Sequence, residues 1–219
     1  RLVHGHAGIH LTAQKKELVR ARLTKTLRNR GLKSFQEYYE IVLADSSGAE
    51  LAGLLDAIST NLTSFWREPA HFQFLVHEIL PSWPRNLQQP RRANLWSAGC
   101  STGEEPYPLA MVMLDAFAGE DFSRVKIYAS DINTQVLAQA EAGVYPFSRA
   151  EPLPVAWQRR FFQKGVRHRQ GLVRVKPEVR SLVHFFRLNL MTPFPFGEEM
   201  DVIFCRNVMI YFEKETQVS

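Results

Sequence analysis

The segment 95–107 constrains the fold more than any other part of this chain. Its sequence, LWSAGCSTGEEPY, runs from an apolar strand through a glycine-containing turn into the start of a helix. Asp131 follows at the end of a second strand, 125–130. A tight turn at the carboxyl end of one strand, with an acid at the end of the next, is typical of a nucleotide or nucleoside pocket in an open α/β sheet.

The turn also indicates which kind of ligand fits. Gly99 and Gly103 allow backbone angles that a Cβ would forbid, and they let the main chain approach a ligand closely. The third glycine of a dinucleotide site is absent, and Glu104 and Glu105 stand where the helix opens. Two carboxylates there would repel a pyrophosphate but suit a cationic ligand. S-adenosylmethionine is such a ligand, and its ribose hydroxyls would donate hydrogen bonds to Asp131.

A plainer interpretation of the same turn stays open at this point. Ser101 with Glu104, and Thr102 with Glu105, each match the capping-box pattern at the start of a helix. On these grounds alone the segment is equally compatible with a well-capped helix that binds no ligand.

The order of the predicted elements indicates an α/β fold with a small helical domain in front of it. We expect an all-α domain over 1–60, a linker and helix over 61–92 that contribute to the cofactor site, and an α/β domain over 93–219. Strands near 94–97, 125–130, 183–186 and 201–205, with helices 104–118 and 133–142, predict a parallel sheet. A small antiparallel β subdomain is expected as an insertion at about 145–181. Four strands leave the last one at an unprotected edge, so we expect the C-terminal part of the sheet to be missing from this chain.

Charge is unevenly distributed along the chain. The whole chain carries a formal net charge of +5, yet segments 13–33 and 159–180 each hold eight Lys or Arg against one acid. Two basic segments on an otherwise acidic body predict an acidic partner, either nucleic acid or a carboxylate-rich protein surface.

Other compositional features limit the compartment and the cofactors. No stretch approaches the roughly 18 apolar residues of a membrane span, and no secretory signal is visible. Cys100 and Cys205 suggest neither a zinc site nor a disulfide framework, so no metal is expected. We therefore expect a cytoplasmic protein.

Five segments together resemble the CheR-type chemotaxis receptor methyltransferases. The segments are TNLTSFWRE at 60–68, WSAGCSTGEEPY at 96–107, ASDI at 129–132, GLVRV at 171–175 and IFCRNVMIYF at 203–212. They follow one another in the same order and with similar spacing as in that family, and the likeness covers nearly the whole chain. The resemblance implies a Rossmann-like, S-adenosylmethionine-dependent methyltransferase sheet.

The resemblance also implies an activity and a set of site residues. The family transfers a methyl group from S-adenosylmethionine to glutamate side chains on the cytoplasmic helices of chemoreceptors, which gives glutamyl methyl esters and S-adenosylhomocysteine. The matching cofactor contacts are Asn61, Thr63, Arg67, Gly99, Glu104, Glu105, Asp131, Asn189, Leu190, Arg206 and Asn207. Arg67 and Tyr211 match residues that orient the reacting groups.

Two surfaces match the family's receptor contacts. The basic helix is expected to meet the acidic methylation region of the receptor through Lys15, Lys16, Arg20, Arg22, Lys25 and Arg28. The inserted β subdomain docks a receptor C-terminal peptide in some members of the family.

The expected reaction needs no general base, because a glutamate side chain with a pKa near ~4.3 is already a carboxylate at neutral pH. Two other functions remain as alternatives. One is a non-catalytic signalling scaffold that binds S-adenosylmethionine. The other is a nucleic-acid methyltransferase, which is disfavoured because segment 205–208, CRNV, lacks the prolines that follow the fourth strand in enzymes acting on exocyclic base nitrogens.

Overall fold

The computed structural model describes residues 2–11, 15–83, 93–119 and 121–218. The helices are α1 Leu2–Ala7, α2 Lys16–Arg30, α3 Phe35–Ala44, α4 Ala49–Ile58, α5 Pro69–Phe74, α6 Pro106–Ala116, α7 Thr134–Ala142, α8 Phe147–Ala150, α9 Val155–Phe161, α10 Pro177–Arg180 and α11 Lys214–Val218. The strands are β1 Ala93–Ala98, β2 Val125–Asp131, β3 Val144–Pro146, β4 Phe162–Lys164, β5 Leu172–Val175, β6 Val183–Arg187 and β7 Val202–Phe204. No helix among the described residues is long and apolar enough to cross a membrane.

Helices α1 to α4 pack around a core of their own. The basic helix α2 ends where Gly31 adopts a left-handed conformation with φ of 70°. Ser34 caps α3 by accepting the backbone N–H of Glu37 at 3.1 Å, and the Glu37 carboxylate accepts the N–H of Lys33 at 2.8 Å. The buried residues of this core are Val3, Ala7, Leu27, Tyr38, Val42, Leu54, Leu55 and Ile58.

The larger sheet is parallel throughout, with the strand order β6-β2-β1-β7. Strand β1 is buried along its whole length, because it has a neighbour on each side and α6 packs among the core residues of the same cluster. The predicted α/β fold with a parallel sheet is confirmed. On the opposite face, Trp96 and Tyr128 pack against Phe196 with ring centroids 4.9 and 5.2 Å away.

The second sheet is antiparallel and has the order β3-β5-β4. It confirms the expected small antiparallel β subdomain, which has three strands. Strand β3 is only three residues long and ends at Pro146, so it is too short for an alternating pattern to reveal it. Its Tyr145 is fully buried.

The segment after the linker is less regular than the single helix expected from the sequence. Helix α5 is followed by a π-helical turn, Leu75–Ile79, and a 3-10 turn, Leu80–Ser82. Pro81 lacks the N–H that a regular helix would need at this position, which explains why the α-helical ladder does not continue.

Polar contacts fasten the N-terminal helices to the larger sheet. The Asp56 carboxylate accepts the N–H and the hydroxyl of Thr134, at 2.8 and 2.5 Å, at the start of α7. The Asn133 side chain donates to the backbone oxygen of Asp56 at 3.0 Å and to the Ser59 hydroxyl at 2.8 Å. The carboxyl edge of the sheet therefore faces the end of α4 and the segment that follows it.

Candidate functional site

A cavity of about 230 Å³ lies at the carboxyl edge of the parallel sheet. Its walls come from the N-terminal segment, the linker 58–67, the turn after β1, the end of β2 and the segments 188–190 and 206–212. All eleven residues predicted as cofactor contacts line it, namely Asn61, Thr63, Arg67, Gly99, Glu104, Glu105, Asp131, Asn189, Leu190, Arg206 and Asn207. Tyr211 and Lys15 line it as well.

The turn after β1 folds tightly onto the end of β2. The N–H groups of Gly99 and Cys100 both donate to the backbone oxygen of Ser130, at 2.8 and 2.9 Å. Gly99 has a φ of 75°, and a Cβ at this position would lie 2.3 Å from Cγ2 of Val208. Glycine is therefore required here for conformation and for space.

Asp131 is held rigidly at the floor of the cavity. One carboxylate oxygen accepts the N–H of Ser101 at 2.8 Å and the other accepts the N–H of Asn133 at 2.9 Å. Burial raises the pKa of this carboxyl, although the backbone donors oppose the rise. Each carboxylate oxygen can accept a further hydrogen bond, so the group suits a ligand that carries hydroxyls.

Glu104 and Glu105 do not cap the helix that follows them. Helix α6 begins at Pro106, and its N-terminus has no side-chain cap. Glu104 is fully buried, accepts the Thr102 hydroxyl at 2.5 Å and forms an ion pair with Arg149 of α8. The expectation that both carboxylates offer free charge to a cationic ligand is therefore wrong for Glu104, because a distant segment supplies its counter-charge.

The small antiparallel sheet packs against the turn that follows β1. The Tyr145 hydroxyl donates to the backbone oxygen of Thr102 at 2.6 Å. A Cβ on Gly103, whose φ is 94°, would lie 2.8 Å from that hydroxyl oxygen. Phe65 of the linker packs edge-on against Tyr145 with ring centroids 5.0 Å apart.

Arg206 joins three segments around the cavity and is only 10% exposed. Nη1 lies 3.2 Å from Oε2 of Glu105, Nη2 lies 3.3 Å from Oε2 of Glu68, and Nη2 also donates to the backbone oxygen of Arg67. Asn207 donates to the other oxygen of Glu68 at 3.3 Å. This last contact is the largest of those that lower the pKa of the exposed Glu68 carboxyl. Glu68 was not among the predicted site residues, because one more acid beside Arg67 gives no signal in the sequence.

Glu105 is a buried carboxyl whose charge is only partly compensated. Burial raises its pKa to about 7, while a hydrogen bond from Ser97 and the charge of Arg206 act in the opposite direction. The Ser97 hydroxyl donates to Oε1 at 2.7 Å. Nε of Arg206 is buried without a hydrogen-bond partner among the described residues. The pair thus presents an acid close to its titration point and a buried donor that a ligand can satisfy.

The linker is packed into the protein with a strained backbone. Trp66 and Glu68 have φ angles of 61° and 51°, and Asn207 across the network has 57°. A positive φ in a residue other than glycine costs about 1–3 kcal/mol, and such residues cluster at functional sites. Trp66 stacks on Phe72 with ring centroids 4.9 Å apart, which packs the linker against α5.

The basic helix reaches the cavity at one end only. Of its six predicted substrate contacts, only Lys15 lines the cavity, while Lys16, Arg20, Lys25 and Arg28 are exposed along α2. Arg22 differs from the prediction, because its Nη1 donates to the backbone oxygens of Ile58 and Ser59 at 2.7 and 2.8 Å. We therefore assign Arg22 a structural role at the end of α4.

The N-terminal segment is part of the site although nothing in the sequence indicated it. Ala7, Ile9 and Leu11 line the cavity. Ile9 pairs with Phe212, and the N–H of His10 donates to the backbone oxygen of Tyr211 at 2.8 Å. His4 and His10 both contact the carboxylate of Glu213, at 3.3 and 2.5 Å. These contacts hold the segment across the cavity beside Tyr211.

Comparison with known proteins gives consistent matches over the whole chain. Residues 61–219 match the family described as "CheR methyltransferase, SAM binding domain", and residues 1–59 match "CheR methyltransferase, all-alpha domain". A chemotaxis protein methyltransferase of Klebsiella aerogenes is 41% identical over 99% of this chain and 72% of its own length. Chemotaxis protein methyltransferase 2 of Pseudomonas aeruginosa is 44% identical over 96% of the chain and 73% of its own length. The Escherichia coli K12 chemotaxis protein methyltransferase is 37% identical over 99% and 73%.

Proposed function

This chain belongs to the CheR methyltransferase family, and on that premise we propose that it methylates glutamate side chains of chemoreceptors. As a family member it is an S-adenosylmethionine-dependent methyltransferase of chemotaxis. The finer parts of the proposal are the glutamate acceptor, the methyl ester product and the by-product S-adenosylhomocysteine.

One observation carries the assignment of the cofactor site: eleven residues from distant parts of the chain converge on a single cavity. The residues present fit S-adenosylmethionine. Asp131 has free acceptor capacity for ribose hydroxyls, and Gly99 leaves room for close approach of the ligand. We propose that Glu105 receives the ammonium of the methionine portion, and that the unsatisfied Nε of Arg206 receives its carboxylate.

The proposed chemistry leaves few tasks to the protein. When bound, S-adenosylmethionine supplies an electrophilic methyl group, so that a C–O bond to the acceptor carboxylate forms as the C–S electron pair returns to sulfur and no proton moves. The protein must hold the carboxylate in line and exclude water from it. We propose that Arg67 and Tyr211 orient the acceptor, since both line the cavity.

Cysteine chemistry plays no part in this proposal. Burial raises the pKa of the Cys100 thiol well above its usual value, and burial also raises that of Cys205. Neither thiol is therefore ionised at neutral pH. This disfavours a nucleic-acid methyltransferase of the kind that attacks cytosine with a cysteine thiolate.

We also propose a separate role for each segment of the chain. Residues 1–60 meet the methylation region through the exposed cations of α2, and residues 93–219 hold the cofactor. The predicted segment 61–92, of which 84–92 lie outside the described residues, closes the cofactor site through its part 61–67. The antiparallel insertion, about 145–181, is the proposed docking place for a receptor C-terminal peptide.

The decisive test is calorimetric titration with S-adenosylhomocysteine. We expect micromolar binding by the wild type and a loss of at least about tenfold in Asp131→Ala, because a charged hydrogen-bond acceptor contributes about 1.5–3 kcal/mol. Asp115→Ala, which removes an exposed carboxylate that does not line the cavity, is the matched control and should bind normally. Thermal melting of each variant, with Asp131→Asn as a milder change, separates loss of binding from loss of folding.

Methylation of a purified receptor cytoplasmic fragment then tests the acceptor. Transfer that requires glutamate at the receptor's methylation positions would support the proposal. Binding of S-adenosylhomocysteine without transfer would favour the scaffold alternative, and a folded wild type that binds none would overturn the cofactor site.

A further inference from the structure

Lys15 belongs to two functional regions at once. It lies at the start of the basic helix α2, and it also lines the cavity beside Tyr211. Its ammonium nitrogen lies 4.8 Å from the centroid of the Tyr211 ring, within the range of a cation–π contact. The side chain is half-buried, unlike those of Lys16, Arg20, Lys25 and Arg28.

Lys15 also differs from the other cations that line the cavity. Arg206 is paired with Glu105 and Glu68, and Nε of Arg67 lies 3.8 Å from the Glu68 carboxylate. Among the described residues, no carboxylate lies within 4 Å of the Lys15 ammonium. A partly desolvated cation that is held by an aromatic ring rather than by an acid remains available for an anionic ligand.

The position of Lys15 indicates which anion it meets. The end of the cavity formed by Glu105 and Arg206 already offers a buried acid and an unsatisfied donor to the cofactor's methionine portion. Lys15 comes instead from the helix whose exposed face carries the cations proposed to meet the receptor. A carboxylate-rich helix lying along α2 would therefore reach Lys15 at the point where that surface enters the cavity.

We propose that Lys15 binds the carboxylate of the acceptor glutamate beside Tyr211, and that it thereby distinguishes glutamate from glutamine. This inference rests on the proposed function, and it assigns one residue the selection of the acceptor's charge. An ammonium favours an ionised carboxylate strongly over a neutral amide of the same shape.

The charge balance of the reaction determines which kinetic constant Lys15 affects. The acceptor carboxylate has lost only part of its negative charge at the transition state, so the ammonium stabilises the bound acceptor and the transition state to a similar degree. Removing Lys15 should therefore raise KM for the receptor and leave kcat nearly unchanged. The methyl ester product is neutral, so the same contact holds the substrate without holding the product.

The test compares Lys15→Met with Lys25→Met, which removes an exposed charge from the same helix. The full chain, loaded with S-adenosylhomocysteine, is titrated with a receptor cytoplasmic fragment that carries either Glu or Gln at its methylation positions. We expect the wild type to prefer the Glu form by about fivefold or more. Lys15→Met should lose most of this preference, whereas Lys25→Met should weaken both forms and keep most of it.

A conservative variant and a measurement of S-adenosylhomocysteine binding complete the test. Lys15→Arg should keep most of the preference, because the charge is retained. Equal binding of the two forms by the wild type, or an undiminished preference for the Glu form in Lys15→Met, would overturn the proposal. Loss of S-adenosylhomocysteine binding in Lys15→Met would overturn it too, since the residue would then be a cofactor ligand.

Kinetics separates this proposal from the function on which it rests. For Lys15→Met we expect KM for the Glu fragment to rise about tenfold with kcat within about twofold of the wild type. A fall in kcat at unchanged KM would contradict the proposal. If the wild type prefers the Glu fragment and Lys15→Met loses that preference, but the wild type methylates neither fragment, the proposed function fails while the role of Lys15 in selecting the carboxylate stands.

Discussion

The wall of the cofactor cavity and the exposed face of helix α2 are built in opposite ways. At the wall, buried groups such as Arg206, Asp131 and Glu105 each contact two or more segments of the chain. On α2, Lys16, Lys25 and Arg28 point into solvent. The contrast implies that single changes at the wall have large and coupled effects. Changes on the helix face should have small effects that add up.

The largest expected effect comes from Arg206→Ala. The change leaves the buried Glu105 without its cation and releases Glu68 and the backbone of Arg67. Breaking a buried pair on one side costs about 3 kcal/mol, so urea unfolding should show a loss of that order. S-adenosylhomocysteine binding should also be lost. Arg160→Ala, which breaks an exposed pair with Asp115, is the control and should cost less than about 1 kcal/mol. Equal losses in the two variants would remove the distinction between buried wall and exposed surface.

Gly99→Ala should produce the next largest effect. The alanine Cβ would lie 2.3 Å from Cγ2 of Val208, and the backbone has a φ of 75°. Gly31→Ala is a matched control, because Gly31 has a φ of 70° with nothing within 4 Å of an added Cβ. We expect a stability loss of about 1 kcal/mol for Gly31→Ala and about 2–3 kcal/mol for Gly99→Ala. The difference between the two stability losses, measured by chemical denaturation, reports the clash with Val208 alone. A difference of zero would show that the Val208 side chain moves away without cost.

A third prediction concerns the pH dependence of ligand binding at Glu105. Its pKa of about 7 means that the carboxyl is largely protonated at pH 6 and largely ionised at pH 8. A ligand ammonium pairs only with the ionised form, so S-adenosylhomocysteine affinity should rise with pH across this range, by at most about tenfold per unit below the pKa. In Glu105→Gln the affinity should be lower and the profile flat. A slope that persists in that variant would assign the titration to another group.

The raised pKa of Glu105 also determines how the free energy of unfolding depends on pH. Because burial raises the pKa of Glu105 above its value in the unfolded chain, the folded state holds the extra proton between about pH 4.5 and 7. The contribution of this group to stability is therefore full at the acid end of that window and is lost as pH rises through 7. The pH dependence of the unfolding free energy should differ between the wild type and Glu105→Gln in that direction.

The smallest effects are expected on the face of α2. Lys25→Met and Arg28→Met should each weaken receptor-fragment binding by about twofold at low salt, and the two effects should add and fade as salt is raised. Arg22→Met should instead act on stability, because the Arg22 guanidinium donates hydrogen bonds to backbone oxygens at the end of α4. It should lower the melting temperature more than either exposed variant. If Arg22→Met instead melts like the wild type and weakens receptor binding, the original assignment of Arg22 to the receptor surface is the better one.

The sequence predicted those parts of the fold and site that depend on local patterns. Apolar runs revealed β1, β2, β6 and β7. Gly99 and Asp131 were predicted as site residues because each follows a strand, whereas Arg206 and most of the remaining predicted contacts came from the resemblance to the family. Contacts between distant segments were not predictable, since neither partner carries a local signal.

Glu104 illustrates this limit best. Nothing near it in the chain indicates that Arg149, forty-five residues later, neutralises it inside the protein. Likewise, residues 7–11 have no motif that predicts a place across the cavity, and their position follows from pairing with segment 211–213 at the opposite end of the chain.

The support that the small antiparallel sheet gives to the cofactor turn limits how modular this enzyme can be. The Tyr145 hydroxyl donates to the backbone oxygen of Thr102, and Arg149 pairs with Glu104, so the insertion is a structural part of the proposed cofactor site. Chimeras that exchange this insertion between relatives should retain methyl donor affinity only where the incoming segment supplies a hydroxyl and a cation at these two positions. If the insertion also docks the receptor peptide, as proposed, receptor preference and cofactor affinity should diverge together among relatives.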